Sequence, residues 1–147
     1  MPDFPLEIYQ AYGGNRIMVP VSLKDSKGSL GFVKALLDTG APDTMVFENL
    51  LKRFRRLRPV SFSPPRYSSL AGYHIERKTA GELSICLRNL ENNLAEFKQE
   101  VSAGVNPNSQ IASSNPLEMI IGLDFLLAHK AVLDLKNPLK PVLHIEE

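Results

Sequence analysis

The 147 residues are 44% hydrophobic and 22% charged, the proportions of a soluble globular chain that can bury roughly two-thirds of its unfolded surface without a metal or disulfide staple. A formal net charge of +1 gives no global electrostatic case for binding nucleic acid or an anionic membrane. Cys86 is the single cysteine, which excludes an intrachain disulfide and favours a reducing compartment.

The opening residues, MPDFPLEIYQ, have neither the basic n-region nor the apolar h-region of a secretory signal, and no run of about 18 apolar residues follows anywhere. The expectation is one soluble domain over residues 1–147, cytoplasmic and without membrane contact. Ile17, Val19, Val21 and Leu23 alternate with Met18, Pro20 and Ser22, the period of a half-buried strand. A polar turn, Lys24 to Ser29, leads to a second strand from Phe32 to Leu37, so residues 17 to 37 read as a hairpin. Phe47 to Phe54 (FENLLKRF) suits about two helical turns, with Phe47, Leu50, Leu51 and Phe54 on one face. RRLRPVSFSPPRYSS, rich in proline and serine, reads as loop and short extended pieces.

Leu83, Ile85 and Leu87 mark the next strand. Asn89 to Asn93 reads as a turn, and Phe97 to Val101 as a strand pairing back. Ala103 to Pro116 is loop-rich. Leu117 to Ile121 is apolar and closed by Gly122, and Asp124 to His129 predicts a short helix with Asp124 at or near its N-cap. Val132 to Leu135 and Val142 to Ile145 are the last strand candidates. Many short strands with one or two short helices predict an all-β chain with a closed or folded-over sheet.

One aspartate stands out. The apolar run Ala35-Leu36-Leu37 delivers Asp38 at the end of a strand, where a carboxylate is costly unless chemistry needs it. Two segments share the chemistry: Leu36-Leu37-Asp38-Thr39-Gly40-Ala41, and Ile120-Ile121-Gly122-Leu123-Asp124 about 80 residues downstream. In order and spacing they resemble the retropepsin-like aspartic proteases, the single-domain family typified by retroviral proteases. The resemblance runs over roughly residues 16 to 145.

The resemblance implies a closed, partly Greek-key-like acid-protease barrel and an aspartic endopeptidase with no cofactor and no metal. Asp38 is then the catalytic residue, with Thr39, Gly40 and Ala41 forming the active-site loop. Peptide hydrolysis without metal or covalent intermediate needs two carboxyl groups that share one proton, so that one acts as base and the other as acid. The chain carries one Asp-Thr-Gly, so the second carboxylate must come from a second copy across a two-fold axis, making a homodimer that acts on a peptide or protein substrate. Gly40 suits a loop that approaches substrate closely or takes positive φ. Ile120-Ile121-Gly122 would pass beside that loop as a buried strand, Gly122 leaving room for the backbone.

Family members close a β-hairpin over the substrate, and Leu70-Ala71-Gly72-Tyr73 is the matching candidate here. Asp43, Gly72 and Ile121 are the candidate substrate contacts, though Asp43 equally suits a bond within its own turn. Many retroviral members have an aspartate after the Ala41 position, paired with an arginine after the downstream glycine. Pro42 and Leu123 stand there instead, so both partners of that ion pair are missing together. Thr44 and Asp124 remain and are placed to hydrogen-bond to each other.

Other features have plainer readings. Lys52 to Arg58 holds five basic residues in seven, a solvated helix end and loop rather than a nucleic-acid site, since no stacking aromatics interleave beyond Phe54. His74, His129 and His144 are too scattered for a zinc site. A phosphatase with an aspartate nucleophile would need an acid where Gly40 stands, and repeated βα units. A retropepsin-fold module for dimerisation or peptide binding, with its dyad unused, is the alternative to an enzyme.

Overall fold

The computed structural model describes residues 2–11, 13–25, 28–54, 57–70, 73–106 and 117–146. Among them the chain forms β1 (Asp3–Pro5), β2 (Glu7–Ala11), β3 (Gly14–Asp25), β4 (Gly28–Leu37), β5 (Met45–Phe47) and the short helix α1 (Glu48–Leu51). After these come β6 (Val60–Leu70), β7 (Tyr73–Arg88), β8 (Leu94–Val105), β9 (Met119–Ile121), α2 (Leu123–Ala128), β10 (Val132–Asp134) and β11 (Val142–His144).

The hairpin expected over residues 17 to 37 is β3–β4, with Ile17 opposite Leu37 and Val21 opposite Val33. β4 then pairs in parallel with β9, β9 antiparallel with β5, and β5 in parallel with β8. β8 pairs antiparallel with β7, and β7 returns to β3. Those six strands close into a ring, with β2 and β6 attached outside it. β1, β11 and β10 form a separate three-stranded sheet that joins the two ends of the chain. The described residues are all-β with two short helices, as the strand pattern predicted.

Strands next to the Asp38 loop are buried on both faces, which explains their unbroken apolar runs. Leu37, Val46 and Ile121 point into the main core with Val19, Val21, Ala35, Ile85, Phe97 and Phe125. Their neighbours Leu36, Met45, Phe47 and Ile120 point the other way, into a second cluster with Met18, Ala41, Ile75 and Leu117. Each of the larger of these side chains contributes roughly 1.5–3 kcal/mol of burial. A charge at Ala35 to Leu37 of β4, or on either face of β9, would therefore be buried as well, and Asp38 escapes because the strand ends before it.

Four expectations are corrected. Ala103 to Val105, read as the start of a loop, complete β8, and residues 107–116 of that stretch lie outside the described residues. The helix predicted over Phe47 to Phe54 is a single turn, α1: Phe47 closes β5 and joins the second cluster, while Leu50 and Phe54 join the main core. Two faces claim these apolar residues, so they cannot form one helical stripe. The proline-rich stretch contains a long strand, β6, whose ladder breaks between Ser61 and Arg66. Pro64 and Pro65 lie in that gap, where a missing N–H is harmless. Finally, β7 begins nine residues before Glu82, where a strand was expected. Its two halves meet at a bulge between Thr79 and Gly81, and Gly81 takes φ of +135°, a conformation that favours glycine.

Candidate active site

β4 ends at Leu37, and Asp38 begins the loop that follows. The Asp38 amide donates to the Ile121 carbonyl at 3.0 Å, which continues the β4–β9 ladder one step past the strand. Its carboxylate turns back along the loop: Oδ1 accepts the Gly40 amide at 2.9 Å. The Asp38 carbonyl accepts the Ala41 amide at 3.2 Å and closes the turn. Among the described residues the carboxylate is thus held by the Gly40 amide and remains partly exposed, with Thr39 and Gly40 exposed beside it. Gly40 does not adopt positive φ. What its position demands is space, since a Cβ there would lie 3.2 Å from Asp38 Oδ1.

Ala41 is buried, and its carbonyl accepts the Leu123 amide at 2.8 Å. Pro42 likewise accepts the Asp124 amide at 3.2 Å, so the start of α2 is clamped onto the loop by two backbone bonds. Gly122 makes that contact possible: a Cβ on it would meet the Asp43 backbone at 2.5 Å and the Ala41 oxygen at 2.9 Å. The close approach inferred from the sequence is present.

Thr44 and Asp124 do bond to each other. Asp124 Oδ1 accepts the Thr44 hydroxyl at 2.7 Å, the Thr44 amide at 2.9 Å and the Phe125 amide at 2.7 Å, while Oδ2 accepts Gln99 at 3.1 Å. Thr44 is fully buried, and its hydroxyl also accepts the Gly122 amide at 3.1 Å. Gly122, not Asp124, holds the N-cap position of α2. Asp124 sits one residue inside the helix, and its carboxylate is spent on tying β5 to α2.

Of the candidate substrate contacts, Gly72 lies outside the described residues. The strands on either side of it, β6 and β7, do pair as a hairpin up to Leu70 and Tyr73. Ile121 is 1% exposed in the main core, because β9 is buried on both faces; its carbonyl, not its side chain, serves the loop. Asp43 is half-exposed, and its Oδ2 takes a guanidinium from Arg77 and the Ser102 hydroxyl at 3.3 Å. Sequence reasoning missed Arg77 and Ser102, which stand 34 and 59 positions from Asp43 with no motif to mark them. No group of three or more His, Cys, Asp or Glu able to hold a metal occurs among the described residues, and no helix there is long and apolar enough to cross a membrane.

No protein-family model matches the sequence, and a search of curated proteins finds no match. Solved structures do match. The retroviral protease-like domain of Ddi1 from Leishmania major is 21% identical, with a TM-score of 0.46, over 88% of this chain and 89% of that one. A retropepsin-like aspartic protease from Rickettsia conorii is 13% identical, with a TM-score of 0.50, over 96% of this chain and 88% of that one. At such identity the second likeness speaks to the path of the backbone, and it extends over nearly the whole chain: the chain has a retropepsin-like fold.

Proposed function

We propose that the chain is an aspartic endopeptidase, active as a homodimer in which Asp38 of each copy flanks one water. The observation that carries this reading is the Asp38 loop. A carboxylate at the end of a doubly buried strand is held by the Gly40 amide and left open to solvent, and the described residues supply no second acid bonded to it. Everything else around it, from the Ala41–Leu123 clamp to the Thr44–Asp124 bonds, fixes backbone geometry without consuming that carboxylate.

The chemistry follows from two carboxyl groups at contact distance, which cannot both ionise. The ionised Asp38 takes a proton from the water as its oxygen attacks the scissile carbonyl. The protonated Asp38 of the other copy gives its proton to the developing oxyanion. Collapse of the tetrahedral intermediate breaks the C–N bond as a proton passes to the leaving amine. The β6–β7 hairpin would serve as the lid over an extended peptide, adding backbone hydrogen bonds along it.

The test is cleavage of a peptide library between roughly pH 3 and 7, the range of a proton-sharing dyad, with and without a transition-state-mimicking aspartic protease inhibitor. Asp38→Asn should abolish inhibitor-sensitive cleavage and leave the melting temperature and the dimer intact. A wild-type dimer that binds peptides and cuts none would instead be a binding module on the same fold.

A further inference from the structure

Arg77 reaches from the β6–β7 hairpin to the segment just after the Asp38 loop. Its guanidinium donates to Asp43 Oδ2, the oxygen that also accepts Ser102 Oγ. The two side chains are 20% and 37% exposed, so the pair is partly withdrawn from solvent and is not a loose surface contact.

The strand register explains the contact. Arg77 on β7 lies opposite Gly104 on β8, and Met45 at the start of β5 lies opposite Ser102. A Cβ on Gly104 would come within 2.7 Å of Met45 Sδ and 2.9 Å of the Phe47 ring, so β5 packs directly over that glycine. Asp43 stands two residues before β5 and falls within reach of Arg77. On its other side Arg77 lies opposite Arg66 of β6, and like charges opposed across a ladder repel. Each arginine has its own partner: Arg66 lies 4.2 Å from the centre of the Phe62 ring, and Arg77 takes the carboxylate. Among the described residues, Arg77–Asp43 is the one ion pair joining the β6–β7 hairpin to the segment between Asp38 and β5.

We propose that Arg77 is a positioning residue: through Asp43 it fixes the height of the β6–β7 hairpin above the Asp38 loop, and so sets how tightly an extended peptide is held. The inference rests on the protease reading for its kinetic consequence and on the fold alone for its mechanical one. Arg77 touches no reacting atom, so its removal should weaken peptide binding and leave the chemical step in place.

The experiment uses the full chain with Arg77→Ala, Asp43→Asn, both together, Arg77→Lys, and the charge-exchanged pair Asp43→Arg with Arg77→Asp. Amide hydrogen exchange is followed by mass spectrometry, alongside steady-state kinetics on a peptide the wild type cuts. In Arg77→Ala, exchange over residues 60–70 and 73–80 should quicken about tenfold while residues 94–99 stay protected. KM should rise about tenfold with kcat within about twofold. The double variant should be no worse than the worse single one, because both changes break one interaction. Arg77→Lys and the exchanged pair should recover most of the loss. Unchanged hairpin exchange in Arg77→Ala overturns the proposal, as does a fall confined to kcat or a double variant whose losses simply add. A wild type that cuts no peptide sinks the protease reading, and hairpin exchange still decides this one.

Discussion

A methyl group on Gly40 would lie 3.2 Å from Asp38 Oδ1, and one on Gly122 would lie 2.5 Å from the Asp43 backbone. The first neighbour is a side-chain oxygen that can rotate by a few tenths of an ångström, at the cost of its aim. The second is backbone held by the α2 clamp, which cannot yield. Gly40→Ala should therefore disturb function and spare the fold: we expect kcat to fall about tenfold, or ~1.4 kcal/mol of barrier. Its stability should stay within about 0.5 kcal/mol of wild type. Gly122→Ala should do the reverse and lose about 2–4 kcal/mol of folding stability in urea titrations. Gly122 has φ of −97° and ψ of −177°, which alanine adopts freely, so that loss would be steric alone. A Gly122→Ala protein as stable as wild type would mean the loop and α2 are not in close contact.

Between elements, the joint that matters is β5 to α2. Thr44 Oγ1 accepts the Gly122 amide and donates to Asp124, which also gathers Phe125 and Gln99. Thr44→Val keeps the shape of the buried side chain and strips the hydroxyl, leaving the Gly122 N–H unpaired in a dry site. We expect a loss of about 2–3 kcal/mol, while Thr44→Ser should stay within about 1 kcal/mol of wild type, both read from denaturant midpoints. This joint is legible in the sequence, because Asp-Thr-Gly, Thr44 and Gly122-Leu123-Asp124 are short local patterns whose chemistry is dense. β2 and β6 are not legible there as strands. They attach outside the ring, and most of their residues are exposed, so no alternation of apolar residues records them. The first half of β7 hides for a different reason: between buried Ile75 and Ala80 it carries the half-buried polar residues Glu76, Arg77 and Lys78, so no apolar alternation marks it. Asp43 shows the other limit: its role depends on Arg77, and only the sheet register brings the two together.

Across the whole molecule, two histidines set opposite responses to pH. His144 on β11 bridges the ends of the chain, with Nε2 at 3.1 Å from Asp134 Oδ2 on β10 and Nδ1 against Asp3 Oδ1 on β1. Those bonds, to Asp134 first and then Asp3, raise its pKa above the ordinary value near 6.5. Its contribution is therefore complete below about pH 6.5 and is lost as pH rises through the raised value. Asp134 is held below its ordinary value near 3.8 by the Lys136 amide and then by His144, so its share is lost as pH falls through that lowered value. His129 is the opposite case. It packs against Phe125 and Phe97 with ring centres 4.6 and 5.0 Å away, and its buried Nε2 has no hydrogen-bond partner among the described residues. Burial lowers its pKa, so folding favours the neutral ring, and stability is lost as pH falls from about 6.5. The two histidines together place a stability maximum near pH 6.5. His144→Gln should flatten the alkaline fall and also lessen the share of the acid one that Asp134 owes to the imidazole, leaving the share set by the Lys136 amide. His129→Phe should flatten the fall that begins near pH 6.5 and leave the loss below about pH 3.8, where Asp134 protonates. Urea midpoints taken on both sides of pH 6.5 would show both changes, and an alkaline limb unchanged in His144→Gln would remove the bridge from the account. The same variants separate folding from any peptide cleavage: an acid limb of activity that moves with His129→Phe reports unfolding, whereas one that stays fixed belongs to the chemical step.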